Sequence, residues 1–539
     1  MSLVPLAKLR AAAREALAFV RAQPDVEDAE VFASANGNLT VRLNYTSHIP
    51  SNGVEEPKSV ESYGLGIRAV FRSPQGRKIG FGSEPSDLTL QGARVALEKA
   101  RRGAVLDNEF VSLPKIPSSP PLAMGGRGDS NPPARIAKFH DPAVMRIGNT
   151  RLLETGWAML EKGLQAFQTS EDLLGLAGSP EQLPELGLIL GGDVVLLQER
   201  VAIASTHMPR VQTDESTLVL SFATAMVEEG DAKGSGWSVS NHLADFTGQS
   251  AADAARRAIE SVNGQRVPGG AYRVILGPQA VSEILEWILL PGLRVDMVFA
   301  GASPFMGRFG QKVASNQLRI YDDGAAPGLA GSKAITDEGL PTGRTDLIRD
   351  GVLSGLLSDH YNSQRMLNDT KGREKLGVEP RDVADAIAPR NGFRPGNGGG
   401  RDFDSPPSIT PTNLIIEGAS TQSHDELLRL VGDGIYIGRI WYTYPVNGIN
   451  AGDFSGTIVG DSYIVKDGKP AAPLKPNTLR MNDNVLRVIN NVLGIGSERQ
   501  GAVRWSSDQV TWAPELAVAD FQLEEIGQYM DTVYQAPDQ

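Results

Sequence analysis

The sequence predicts an α+β protein: an N-terminal two-layer region of helices and strands, followed by a large, mostly antiparallel, barrel-like β-rich domain with flanking helices. Three observations carry this prediction. Short apolar runs with strand-like alternation recur along the chain. Stretches of helical period are segregated from these strands, as in an α+β layer. Finally, 59 glycines and 34 prolines among 539 residues break the chain into many turns. At this length one hydrophobic core does not suffice, because domains run to roughly 100–200 residues.

The elements follow in order. "MSLVPLAKLRAAAREALAFVRAQ" intersperses charges among apolar residues and reads as an amphipathic surface helix, not as a secretory leader. "AEVFASANGNLTVRLNY" alternates on both sides of Asn36-Gly37, which predicts a hairpin with a tight turn. Strands at 62–71 and 77–82 precede a helix opened by the cap candidates Ser86 and Asp87, and residues 1–110 form the first α+β unit. Residues 111–150 are rich in Pro, Gly and Ser without period, as a surface insertion or linker would be. A helix near 151–165, strands near 187–195, 199–206 and 217–228, and a helix from Ala251 to Asn263 make 151–268 the second part of the N-terminal region. From 269 to 539, short runs such as "DGIYIGRIW" and "GDFSGTIVGDSYIVKDGKPAAPL" alternate with Gly-containing turns, the pattern of an antiparallel sheet or barrel. Within it, "RPGNGGGRDFDSPPS" (394–408) reads as a flexible loop. It neither follows a strand nor opens a helix, so it lacks the context of a phosphate cradle.

Composition narrows the function. A net charge of −12 disfavours direct nucleic-acid binding, which needs clustered Lys and Arg. No apolar run reaches the roughly 18–20 residues of a membrane span, so a cytoplasmic protein is expected. The absence of cysteine removes disulfides, thiolate nucleophiles and Cys-containing metal sites. The six histidines are scattered, and no HExxH or HxH pair is present. His360, beside Asp359 in "LSDHY", is the one candidate for a metal assembled from distant residues, against the alternative of a structural, hydrogen-bonded histidine.

The segment "GPQAVSEILEWILLPG" (277–292) follows the apolar run "YRVIL" and reads as a helix opened by Gly277-Pro278 and closed by Pro291-Gly292. At 100° per residue Val281, Ile284, Leu285 and Ile288 share one face and Gln279, Ser282, Glu283 and Glu286 the other. Two readings stand open: a half-buried helix with a solvated polar face, or Glu283 and Glu286 lining a cleft as an acid/base pair.

The ordered series "YGLGIRAVF", "GFGS", "YRVILGPQAVSEILEWI", "DEGLPTGRTDLIRDGVLSGLLSDHY", "DGIYIGRIW", "NAGDFSGTIVGDSYIVKDGKPAAPL" and "NDNVLRVINNVLGIG" resembles the TldD/PmbA family, once called modulators of DNA gyrase. The resemblance covers most of the chain apart from 111–150 and the C-terminal tail. In that family the TldD-type subunit resembles a zinc peptidase, with HExxxH on this helix and a cysteine from the C-terminal sheet. Here the frame falls on Ser282, Glu283 and Trp287, and no cysteine exists. The resemblance therefore implies a TldE/PmbA-type subunit with no metal or catalytic residues of its own. Zinc would sit in a TldD-type partner, the pair would form a heterodimeric peptidase for unfolded or modified peptides, and Trp287 would fill the metal's space. Two alternatives remain: a peptidase acting alone through Glu283/Glu286 or a metal elsewhere, and a homodimeric peptide-binding or regulatory protein.

Overall fold

A computed structural model describes residues 3–49, 52–116, 139–396, 399–503 and 509–527. The N-terminal sheet contains β1 (Val26–Thr46), β2 (Lys58–Ser73), β3 (Gly76–Pro85), β4 (Leu188–Ser205), β5 (Gln212–Val227) and β6 (Ala232–Ser240), in the order β3-β2-β1-β4-β5-β6. Two-residue strands at Gly53–Val54 and Val105–Leu106 extend it beside β1 and β3. Residues 1–110 and 188–240 thus share one antiparallel sheet, joined at its centre by β1 and β4.

The expected hairpin at Asn36-Gly37 is absent. β1 runs straight through it as one strand of 21 residues, with Asn36 paired to Ser62 and Glu199 and Gly37 to Glu61 and Gln198. A type I′ turn needs φ > 0 at both residues, and neither has it. The pair has another use. Asn36 Nδ2 donates to Arg401 O at 3.0 Å, and a Cβ on Gly37 would lie 2.4 Å from Gln198 Oε1. The strands expected at 187–195 and 199–206 are likewise the single β4.

Successive side chains of β1 point to opposite faces. Odd positions Val31, Ala33 and Ala35 pack under α1 (Leu6–Arg21) and α2 (Leu90–Arg102), while Leu39, Val41 and Leu43 pack under α3 (Asn149–Gln168) and α4 (Gln249–Glu260). α2 is capped by Thr89, whose hydroxyl accepts from Gln91 N, and not by Ser86 or Asp87; Asp87 instead accepts from Thr89 N. Even positions of β1 face the C-terminal half. From 29 to 35 every residue of the strand is buried, and alternation with half-exposed residues sets in beyond that. A continuous buried run marks a strand covered on both faces. Of the 111–150 segment, Leu113, Phe139, Val144 and Met145 are buried and not on the surface, while 117–138 lies outside the described residues.

The C-terminal half forms a mixed sheet from β7 (Gly270–Leu276), β8 (Leu318–Asp323), β9 (Arg344–Arg349), β10 (Asn413–Gly418), β11 (Gly434–Ile437), β12 (Arg439–Pro445), β13 (Asp453–Gly460), β14 (Tyr463–Lys466), β15 (Lys469–Pro473), β16 (Leu479–Asn484), β17 (Val492–Val503) and β18 (Val510–Glu525). The central path is β9-β8-β10-β18-β7-β11-β14-β15; β16 and β17 also pair with β18, β13 with β16, and β12 with β13. Most pairings are antiparallel, but β10/β18 and β7/β11 are parallel. The sheet is open and not barrel-like, because its end strands do not meet. Helices cover its faces where a barrel would close on itself: Val274 and Leu276 of β7 pack with the helix at 278–290, and Ile275 packs with α-helical residues Leu427, Leu428 and Val431 on the other side. Among the described residues no helix is long and apolar enough to cross a membrane.

Candidate functional site: a cleft between the two sheets

The helix after β7 begins at Gly277, whose neighbour Pro278 takes the first helical position, where a missing N–H costs nothing. It is α-helical over Pro278–Ile284, changes to a π turn over Leu285–Leu289, and ends with Leu290–Gly292. In the π turn Leu290 N–H reaches back to Leu285 O. Pro291 has no N–H to return to Trp287 O, so the regular ladder cannot continue through this turn.

The polar face of this helix does not lie on the open surface. It forms one wall of a cleft of about 530 Å³ whose opposite wall is the N-terminal sheet. Asn38, Thr40 and Arg42 of β1, Asp193, Val195 and Leu197 of β4, Phe222 of β5 and Trp237 of β6 face Gln279, Ser282, Glu283, Glu286 and Trp287, and Arg439 to Thr443 of β12 close one end. All five of these helix residues, singled out in the sequence, thus line one cleft.

Their environments differ. Ser282 is buried, and its hydroxyl donates to Pro278 O at 2.8 Å, back into its own helix. Glu286 is buried and accepts from the hydroxyl of Thr511 on β18. Glu283 is half-buried, with Gln279 Nε2 3.5 Å from its Oε2. The same Gln279 amide accepts from Ile440 N at 3.0 Å, tying the helix to β12. Trp287 is 36% exposed and lines the cleft, so it does not plug a buried space. Arg42 and Asp193, also in the lining, form a bidentate pair (2.9 and 3.2 Å).

The donor set does not suit zinc. Zinc takes thiolate, imidazole or carboxylate ligands; an indole N–H only donates, and the Ser282 hydroxyl is spent on its helix. Glu283 alone remains of the HExxxH frame, and no group of three His, Cys, Asp or Glu capable of holding a metal occurs among the described residues.

His360 lies outside the cleft. It opens α-helix His360–Asn368 behind the N-cap Asp359, and its ring N–H donates to Ser112 O at 3.0 Å while its backbone N–H donates to Glu338 Oε2 at 2.8 Å. Burial, assisted by the Arg68 cation, lowers its pKa to about 4. Among the described residues no group of three His, Cys, Asp or Glu that could hold a metal includes it.

Sequence reasoning missed a buried ionic seam between the halves. Glu30 on β1 binds Arg68 (3.0 Å) and Arg394 (2.6 Å); Arg401 binds Asp337 (2.6 Å) and Asp214 (2.7 Å); Lys333 binds Glu199 (2.7 Å). Burial alone would raise the Glu30 carboxyl, but Arg68 and Arg394 outweigh it and hold it low. Glu338 is pushed up to about 8 by burial and by the charge of Asp359. The 394–408 segment, expected to be a flexible loop, supplies the two largest fully buried side chains among the described residues, Arg394 and Arg401, together with buried Phe403. Its glycines let the backbone lie against β1, where Gly400 at φ +95° approaches Asn36. Arg439, Phe222 and Trp237 of the cleft also went unnoticed, since only the sheet topology brings them to this helix.

Comparison with known proteins places this architecture. Residues 269–525 match the family model described as the PmbA/TldA metallopeptidase C-terminal domain. A metalloprotease of Methanothermobacter thermautotrophicus is 25% identical over 242 residues, 45% of this chain and 46% of that protein. A metalloprotease TldD homolog of Haemophilus influenzae is 28% identical over 232 residues, 42% of each. The matched region spans less than half the length of these curated relatives. The fold is shared over nearly the whole chain with the crystal structure of TldE from Thermococcus kodakarensis (TM-score 0.72, 15% identity, 96% of this chain and 100% of that one). A putative modulator of a DNA gyrase from Thermotoga maritima is similar as well (TM-score 0.68, 15% identity, 95% and 99%). Residues 269–525 thus carry the PmbA/TldA metallopeptidase C-terminal domain, within a fold that nearly the whole chain shares with these solved structures.

Proposed function

We propose that this chain is the metal-less, TldE-type subunit of a cytoplasmic heterodimeric peptidase, in which a TldD-type partner holds zinc and performs hydrolysis on unfolded or modified peptides. The observation that carries this reading is the HExxxH-equivalent triad itself. Ser282, Glu283 and Trp287 occupy the wall of a well-formed cleft, yet two of the three positions carry groups that do not bind zinc. The likeness in fold to a protein named TldE, and in sequence to proteins named metalloprotease TldD homolog, is consistent with the two halves of such a pair. The cleft remains as a place to hold an extended chain while the chemistry happens in the partner.

The test is co-expression with a homologue that carries an intact HExxxH and a late cysteine, followed by native mass measurement, metal analysis and peptide digestion. The expected result is a 1:1 complex whose hydrolysis depends on the partner's glutamate, with no stoichiometric zinc on the isolated chain. One tightly bound zinc equivalent on the isolated chain, lost with activity on chelation, would overturn it. So would peptide hydrolysis by the lone chain that disappears in Glu283→Gln, the outcome expected of a self-sufficient peptidase.

A further inference from the structure

The cleft contains a cation that the zinc comparison leaves unexplained. Arg439, the first residue of β12, is only 8% exposed and lines the cleft. Its guanidinium lies over Phe222 (5.1 Å to the ring centroid) and Trp441 (5.2 Å). It makes one long hydrogen bond, to Thr224 Oγ1 at 3.5 Å, and no described carboxylate lies within the 4.0 Å of an ion pair. Glu283 and Asp461 act on it only from farther away, and Asp461 is itself held by the backbone N–H and hydroxyl of Ser235. The other buried arginines among the described residues, Arg394 and Arg401, each sit on carboxylates. Burying a guanidinium with most of its five donors unused costs free energy, and that cost is recovered when an anion arrives.

From this we infer that Arg439 is the receptor for a carboxylate on a ligand that fills the cleft, an inference that rests on the peptide-holding role proposed above. The chemistry selects the ligand class. The contacts with Phe222 and Trp441 use none of the guanidinium's N–H donors, which leaves its fork for a planar, bidentate partner, and a carboxylate matches that fork. The cleft also presents the apolar side chains Val195, Leu220 and Trp237, which suit a carboxylate attached to an apolar chain. A cleft of about 530 Å³ falls within the usual range for a ligand site of roughly 300–1,000 Å³. Two sources share the chemistry: the C-terminal carboxylate of a peptide, and an internal Asp or Glu side chain.

The experiment uses the full chain and its own fluorescence, because Trp237, Trp287 and Trp441 line the cleft. The probes are acetyl-Leu-Ala-Phe as the free acid, the same peptide as the C-terminal amide, and an amidated analogue with an internal glutamate. The free acid is expected to change the emission saturably and to bind at least tenfold more tightly than the amide, and Arg439→Met, which keeps the side-chain bulk, is expected to abolish that preference. Arg439→Lys, which keeps the charge and loses the fork, should retain only part of it, and thermal melting checks that both variants fold. If the glutamate analogue binds as tightly as the acid, the carboxylate is that of a side chain; if it behaves as the amide, the terminus is recognised. Equal binding of acid and amide to the unaltered chain overturns the inference, as does an undiminished preference in Arg439→Met. Glu283 closing onto Arg439 in solution would give the first of these results. None of these readings requires a partner subunit, so failure here and failure of the heterodimer proposal are separable.

Discussion

Replacing Glu338 by Gln isolates one titration in the seam. Glu338 is fully buried, accepts from His360 N at 2.8 Å, and keeps its second oxygen 3.8 Å from Arg68, so that its carboxyl is pushed from 4.5 up to about 8. A carboxyl with a raised folded-state pKa holds its proton in the folded state after the unfolded chain has lost it. Stability therefore declines as pH rises from 4.5 to 8 and levels off beyond. At about 1.36 kcal/mol per unit, the loss is under about 1 kcal/mol at pH 5, about 3 kcal/mol at pH 7 and between about 4 and 5 kcal/mol at pH 8.5. Gln has the shape of the protonated acid and does not titrate, so the difference in stability between the Gln variant and the parent grows by these amounts. With an unfolding entropy of about 2.1 cal/mol/K per residue, the corresponding change in the Tm difference is about 3–4 °C between pH 5 and pH 8.5, if the chain melts as one unit. Differential scanning fluorimetry at half-unit pH steps reads it directly. A constant offset between the two curves across this window would refute the argument, because an offset reports lost contacts and only a slope reports the proton.

Two further predictions concern single contacts. Thr511→Val removes the hydroxyl that donates to the buried Glu286 carboxylate while keeping its volume, and is expected to cost about 1.5–3 kcal/mol in denaturant unfolding; a change below about 0.5 kcal/mol would show that the bond contributes little. Gly37→Ala places a Cβ 2.4 Å from Gln198 Oε1, and Gln198 Nε2 is held at 2.6 Å by Val144 O, so a loss of about 1–3 kcal/mol is expected, as for other overpacked core positions; a neutral result would mean that Gln198 moves aside freely.

The residues that were legible in the sequence are those whose role is local. The helix at 277–292 could be placed because Pro278 and Pro291 punctuate it and its apolar residues recur at helical spacing. Its environment could not, because whether a polar face meets open solvent or a cleft under a second sheet depends on topology; Ser282 and Glu286 are buried on a helix packed against β12, β17 and β18. Asn36-Gly37 misled for the same reason. The dipeptide satisfies the turn rule, but here the asparagine anchors the Arg401 segment and the glycine makes room for Gln198. The glycines of 394–408 looked like flexibility, whereas they allow two arginines to reach carboxylates on β1 and β5. Composition reports what a backbone can do, not which distant carboxylate it serves.

The even face of β1 links the seam to the cleft, and this yields the last prediction. Glu30, Phe32 and Asn36 of that face hold the 391–405 region, and Asn38, Thr40 and Arg42 continue it as the cleft wall. The separation of the cleft walls is therefore set by the ionic seam a few residues along one strand. Arg401→Met leaves Asp337 and Asp214 buried without their shared cation, at a cost of about 3–5 kcal/mol. The strain falls on the joint between the sheets, because each sheet has its own helix-backed core. Below the melting temperature, the expected consequence is a more open cleft, with the buried Trp237 gaining water. This would appear as a red-shifted emission and increased acrylamide quenching, while far-UV circular dichroism remains unchanged. If the variant melts earlier but its tryptophans are quenched as in the parent, the seam stabilises the fold without setting the cleft, and the two functions of that strand face are independent.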